Sequence, residues 1–228
     1  MAYLRGHWQL IAITLLVFVL WSTPVVLPLK LLVVFFHELS HGAAAILTGG
    51  TIESLSVNFR QGGEAWTRGG SRFLILSAGY LGSLLIGVGL LMAALRTQKD
   101  RAIVAGLGIM LFCVLVLYVR DVAGAVICAG TGAAMLAVAR FLREQICDLL
   151  LRVIGLSSLI YVPYDIFDDT LRRSSLQSDA RMLAEEFGGT TMMWGALWLV
   201  ISAGVIVWCL RQGLGRSSNL SFKNGIFR

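Results

Sequence analysis

The sequence predicts an all-α integral membrane protein with six or seven transmembrane helices and a small β-hairpin after the helix that carries an HExxH motif. Of its 228 residues, 57% are hydrophobic and only 14% are charged, whereas soluble domains carry about 25% charged residues. The mean hydropathy is +0.79. Apolar runs of about 20 residues, the length that a helix needs to cross a bilayer, follow one another along the chain.

The apolar runs predict the helices in chain order. The first run is broken near Pro24 and Pro28. It is too long for the apolar region of a signal peptide and has no clear cleavage site after it, so it is predicted to be a retained span. We divide the chain into a first span at 1–28, a membrane-embedded core at 29–180, and a last span with a basic polar tail at 181–228. The predicted spans are 8–27, 29–47, 73–95, 102–119, 122–142, 146–167 and 192–210.

The stretch 51–72 differs from the rest of the chain. Gly49 and Gly50 mark the end of the preceding helix, as glycine commonly does. Residues 52–59 then alternate as a strand would, Gln61-Gly62-Gly63-Glu64 predicts a turn, and a second short strand is predicted around 65–67. This hairpin is interpreted either as a connector outside the membrane or as an exposed edge that pairs with an extended peptide.

Two side-chain spacings predict contacts between and within helices. Gly79, Ser83 and Gly87 lie on one helix face, and small residues allow close helix approach in lipid. Asp148 and Arg152 are four residues apart, which predicts an ion pair within one helix.

Charge and cysteine content exclude other classes. The formal net charge is +6, but the basic residues stand mostly at span ends, where they meet lipid headgroups. We therefore expect the lipid bilayer, and no nucleic acid, as a partner. The cysteines form no CxxC pair, which predicts small apolar core residues rather than a metal site; they are Cys113, Cys128, Cys147 and Cys209.

His37-Glu38-Leu39-Ser40-His41 places three ionisable side chains inside an apolar run. Such groups are unfavourable in a bilayer and mark functional sites. Histidines at i and i+4 share one helix face and can both reach one zinc ion, while Glu38 can accept a proton from the attacking water. A buried histidine pair hydrogen-bonded between helices is the structural alternative.

A catalytic zinc takes three protein ligands and a water, so a third ligand is needed. Asp165, Asp168 and Asp169 stand at i, i+3 and i+4 near the end of the sixth predicted span. They could instead form an acidic helix end paired with Arg172 and Arg173. A glutamate third ligand is a further alternative, and the candidates are Glu144, Glu185 and Glu186.

At these residues the chain resembles the site-2 protease family of intramembrane zinc metalloproteases, in a compact HExxH branch. That family carries a Pro-x-x-x-Leu-Asp-Gly sequence in a later helix, and its aspartate is the third zinc ligand. Residues 163–168, PYDIFD, keep the spacing from proline to aspartate, so the resemblance implies Asp168 as the ligand. Asp169 replaces the glycine and Ile160 stands where the family often has asparagine, so Asp165 and Asp169 stay open as alternatives. The sequences SAGYLGS at 77–83 and SDA at 178–180 resemble the same branch.

The resemblance implies a zinc metalloendopeptidase with His37, His41 and Asp168 as metal ligands and Glu38 as general base. It further implies a membrane protein or peptide substrate, cleaved within or near a membrane span and engaged by the hairpin. The alternative is a non-proteolytic metal-binding membrane protein, either a transporter or an inactive protease-like scaffold. No internal repeat of the kind found in many transporters is evident.

Overall fold

The computed structural model of the chain describes residues 2–172, 177–213 and 217–219. It confirms the predicted fold class, a helical bundle with one small antiparallel hairpin. The helices are α1 (Ala2–Val19), α2 (Leu27–Leu47), α3 (Arg72–Arg96), α4 (Asp100–Tyr118), α5 (Val122–Phe141), α6 (Glu144–Phe167), α7 (Asp179–Phe187) and α8 (Thr191–Gly213). The strands are β1 (Thr51–Val57) and β2 (Gly63–Arg68), a 3-10 turn spans Pro24–Val26, and a π-helical turn spans Asp168–Arg172.

Six helices in the described part of the chain are long and apolar enough to cross a membrane, so the chain is a multi-pass membrane protein. They are α2 with the 3-10 turn, α3, α4, α5, α6 with the π-helical turn, and α8. The amphipathic α7, whose range spans the predicted boundary between residues 180 and 181, lies between the last two of them.

The N-terminal helix α1 differs from the predicted first span. It ends at Val19, and residues 20–23 form a turn before the 3-10 turn that begins at Pro24. The backbone N–H of Ser218 donates to the Gly6 carbonyl at 2.9 Å, so the start of α1 lies beside residues that follow α8. The start of α1 and residues 217–219 therefore lie at the same end of the bundle. An even number of membrane crossings brings the two ends of a chain to the same side, so this contact agrees with six spans rather than seven.

Helix α3 occupies the centre and packs against α2, α6, α7 and α8. The predicted small-residue face allows this close packing. A methyl group on Gly87 would lie 2.2 Å from Ser158 Cβ of α6, so no larger residue fits without displacement. The buried aromatic and aliphatic side chains around it include Tyr80, Leu84 and Leu91 of α3.

The predicted hairpin is confirmed. Strands β1 and β2 pair antiparallel from Thr51 opposite Arg68 to Val57 opposite Gly63, with an irregularity between Ile52 and Ser54. On its other side, β1 contacts Val119 at the end of α4 through a single bridge at Leu55. In the described residues no strand pairs with the outer edge of β2.

The end of the bundle where α6 begins contains the predicted ion pair. Arg152 Nε lies 2.5 Å from Asp148 Oδ1, and the Arg152 guanidinium also donates to the Ser218 carbonyl. His7 and Ser218 share a hydrogen bond of 2.9 Å. The predicted basic tail beyond this point, residues 220–228, and residues 214–216 lie outside the described residues. The cysteines form no disulfide.

Candidate metal centre

Two helices that are distant in the sequence bring three metal-binding side chains together. His37 and His41 lie one turn apart on α2, and Asp179 is the first residue of α7. His37 Nε2 lies 3.0 Å and His41 Nε2 lies 3.3 Å from the same Asp179 oxygen, Oδ2. Among the described residues, these three side chains form the group whose donor atoms lie close enough together to share one metal ion.

The spacing of these donors fits a zinc ion. Zinc bonds of about 2.0–2.1 Å in tetrahedral geometry place neighbouring ligand atoms roughly 3.3 Å apart. The two observed nitrogen-to-oxygen distances, 3.0 and 3.3 Å, are close to that value. Two imidazoles and one carboxylate are also a donor set that leaves a fourth position open, as catalytic zinc sites require.

Electrostatics keep the Asp179 carboxylate ionised. Burial raises the pKa of this carboxyl, but His41 and His37 outweigh that effect and hold the pKa well below its usual range. Ser178 caps α7 by accepting a hydrogen bond from the Arg181 N–H, which fixes the start of the helix and hence the position of Asp179. The carboxylate is therefore both oriented and charged, as a metal ligand must be.

Neighbouring groups orient the two imidazoles. The Ile75 carbonyl of α3 lies 2.7 Å from His41 Nδ1 and can only accept a hydrogen bond, so Nδ1 carries a proton and Nε2, which faces Asp179, is the ring atom able to ligate a metal. The Tyr80 ring lies edge-on to His37, with 4.7 Å between ring centroids. Tyr80 also donates its hydroxyl hydrogen to Asp169 Oδ2 at 2.5 Å.

Gly79 makes room for the histidine pair. A methyl group at this position would lie 2.4 Å from His37 Nε2 and 2.6 Å from His41 Cε1. Real Cβ atoms essentially never approach other atoms to less than 3.0 Å. The absence of a side chain here lets α3 lie directly against both metal-binding rings.

Glu38 lies beside the histidines, under strand β2. Its side chain is buried, and a methyl group on Gly63 would lie 2.5 Å from Glu38 Oε1. The three residues of the motif line a cavity of about 610 Å³, and residues 61–67 of the hairpin form one of its walls.

The structure brings Asp179, and not the predicted Asp168, to the histidines. Asp168 lies in the π-helical turn, where its carboxylate is 3.8 Å from the Arg172 guanidinium. Asp165 and Asp169 line the cavity, but neither belongs to the described group of metal donors. The difference lies in the packing, because the start of α7 brings Asp179 within 3.3 Å of both histidine Nε2 atoms, whereas Asp168 lies beside Arg172.

The alternative glutamate ligands also lie elsewhere. Glu186 pairs with Arg72 and Glu185 with Arg181. Glu144 stands at the start of α6, where it pairs with Arg101. The SDA sequence was the available signal for Asp179, since it resembles the family. An acidic residue at a helix start is equally typical of ordinary helix ends, so the pattern alone assigned it no role.

Comparison with known proteins agrees with this geometry. A family model described as Peptidase M50B-like matches residues 10–209. The chain belongs to the Peptidase M50B-like family. This is a site-2 protease family, so the predicted resemblance is confirmed, and the match includes α2, the hairpin and α7. Searches of curated proteins and of solved structures found no match for this M50B-like chain.

Proposed function

We propose that this protein is an intramembrane zinc metalloprotease in which His37, His41 and Asp179 hold the zinc and Glu38 is the general base. The observation that carries the proposal is the convergence of both Nε2 atoms on one Asp179 oxygen. In this proposal Asp179 replaces the sequence-based assignment of Asp168. Family membership favours proteolysis over other metal-dependent hydrolysis.

In the proposed reaction, the bound zinc and Glu38 have different roles. Zinc, when bound, polarises the scissile carbonyl and acidifies a water molecule. Glu38 accepts the proton of the attacking water and returns it to the departing amine, so that one carboxylate acts first as base and then as acid. Burial of Glu38 beneath β2 keeps bulk water away from this proton.

The hairpin provides the means to hold a substrate. A transmembrane helix hides its carbonyl groups in its own hydrogen bonds, so the substrate must unwind before hydrolysis. Residues of β2 border the cavity, and in the described residues no strand pairs with the outer edge of β2. An extended substrate segment can add to that edge through backbone hydrogen bonds, which places its carbonyls next to Glu38.

The test combines zinc analysis with cleavage of a panel of single-span membrane proteins tagged at both ends. Glu38→Gln is expected to retain zinc and to lower cleavage by about 10²- to 10⁴-fold, the usual contribution of a general base. Asp179→Asn is expected to weaken zinc binding by more than about 100-fold, because it removes a ligand rather than a supporting group. Asp168→Asn is the matched control and is expected to keep both zinc and activity.

Each result separates two possibilities. Zinc lost from Asp168→Asn but retained in Asp179→Asn would restore the sequence-based ligand assignment. Undiminished cleavage by Glu38→Gln would remove the protease proposal. Bound zinc without any cleavage that depends on Glu38 would favour a non-proteolytic metal-binding protein.

A further inference from the structure

A second cavity lies at the opposite end of the bundle from the metal centre. The metal centre adjoins the first turns of α3, whereas this cavity follows the end of α3 at Arg96 and lies between α4 and α5. Its volume is about 620 Å³. We call it the basic groove and define it by Lys99 and Arg140 at its mouth and by Ala102, Ala105, Leu136 and Ala139 along its walls.

The apolar walls of the basic groove arise from small residues. Helices α4 and α5 meet closely at Gly108, where a methyl group would lie 3.0 Å from the Gly132 carbonyl oxygen. The groove opens on the N-terminal side of that contact, where Ala102 and Ala105 of α4 leave space in front of α5. An apolar slot between two helices of membrane-spanning length can accept an acyl chain.

The two cations at the mouth are available for a ligand. Lys99 and Arg140 are exposed, and among the described residues neither has a carboxylate within ion-pair distance. Arg101, the third cation of this cavity, differs because it donates to the Leu142 carbonyl at 2.9 Å and faces Glu144. It therefore braces the end of α5, while Lys99 and Arg140 are left to face the solvent and the headgroup region.

We propose that the basic groove binds an anionic phospholipid, with its phosphate between Lys99 and Arg140 and one acyl chain along the alanine walls. Unpaired cations at the ends of membrane helices attract anionic headgroups. A guanidinium and an ammonium together suit a phosphate, since one supplies a planar fork and the other a point charge. The apolar walls of the groove favour a lipid over a soluble phosphate, because a free anion would leave the space between these walls unfilled.

The test measures lipid binding by native mass spectrometry of the delipidated full chain in detergent. Dioleoyl phosphatidylglycerol is expected to bind more tightly than dioleoyl phosphatidylcholine. Each lost cation is expected to weaken binding of the anionic lipid roughly fivefold, so Lys99→Gln combined with Arg140→Gln should weaken it roughly 25-fold. The matched control, Arg5→Gln combined with Arg211→Gln, removes the same charge from exposed positions outside the groove and should leave the affinity within about twofold.

A second pair of variants tests the slot separately from the charges. Ala102 is exposed and lines the groove, so Ala102→Phe is expected to fold and to fill the groove with its ring. It should weaken the binding of both lipids while leaving the cations in place. Ala134→Phe adds the same ring at an exposed position of α5 outside the groove and should change nothing. A thermal melt of each variant reports independently that the fold is preserved.

Three outcomes would overturn the proposal. The first is equal loss of anionic lipid in the groove double variant and in its control, which would indicate non-specific attraction. The second is equal affinity for the two lipids. The third is displacement of the anionic lipid by soluble glycerol 3-phosphate together with unchanged lipid binding by Ala102→Phe. That result would indicate a phosphate site that makes no contact with an acyl chain.

Discussion

Replacing Gly79 by alanine tests the metal centre without removing any ligand. The new methyl group would lie 2.4 Å from His37 Nε2, whereas ordinary Cβ contacts begin at 3.4 Å, so ring and helix must separate by about 1 Å. Zinc ligands tolerate displacements of only about 0.2 Å. We therefore expect at least about a 100-fold loss of zinc affinity, at the upper end of the effects seen for supporting residues.

The assay is competition for zinc with a chelator of known affinity, together with a thermal melt of the metal-free protein. Gly89→Ala is the matched control, because it lies on the same helix and a methyl group there meets nothing within 4 Å. It should retain full zinc affinity, and the melt should show a helix at least as stable as before. Gly79→Ala should lower the metal-free stability by about 1–3 kcal/mol through overpacking.

Wild-type zinc affinity in Gly79→Ala would refute the reasoning, since it would mean that the ion binds away from the face of α2 that α3 covers. A parallel loss of affinity in Gly89→Ala would refute it in another way. That result would show that zinc binding responds to any change in α3 rather than to crowding of the histidine rings.

Two further substitutions probe the surroundings of the centre. Tyr80→Phe removes the hydrogen bond to Asp169 while keeping the ring against His37, and we expect zinc affinity to fall roughly tenfold. Tyr118→Phe, remote from the site, should leave zinc affinity unchanged. Equal losses in both variants would contradict a specific role of the Tyr80 hydroxyl. Gly63→Ala pushes β2 away from Glu38 and is expected to lower cleavage by about 10-fold or more with zinc content unchanged, because misplacement near 1 Å is already harmful to catalysis. Loss of zinc in that variant would instead show that the hairpin supports the ligands.

The local features of this fold were predictable from the sequence. Gly49-Gly50 and Gly69-Gly70 flank the hairpin at 51–68 and mark where it begins and ends. Gly49, Gly69 and Gly70 have positive φ, a backbone conformation that glycine adopts more readily than other residues. The histidine pair was predictable because the i,i+4 spacing on a helix fixes the geometry of the two rings before any tertiary contact forms.

The features that depend on how helices meet were not predictable. Hydropathy along α1 indicates an apolar helix but not where the chain turns, so the sequence predicts a first span that continues past Val19, where α1 ends. The third metal donor comes from a separate helix, because Asp179 begins α7 whereas Asp168 lies in the π-helical turn beside Arg172. Which of these two acidic residues lies against α2 depends on tertiary packing, and no residue pattern within α6 indicates it.

The separation of the metal donors along the chain has a consequence for biosynthesis. During translation, α2 enters the membrane with both histidines and Glu38 long before Asp179 has been made. Tyr80, which contacts His37, is itself packed against Trp198 of α8 at 5.0 Å between ring centroids. A nascent chain that ends before α7 therefore lacks both the acidic donor and the last supporting helix, and under the proposed function we expect it to be inactive until the final span is inserted.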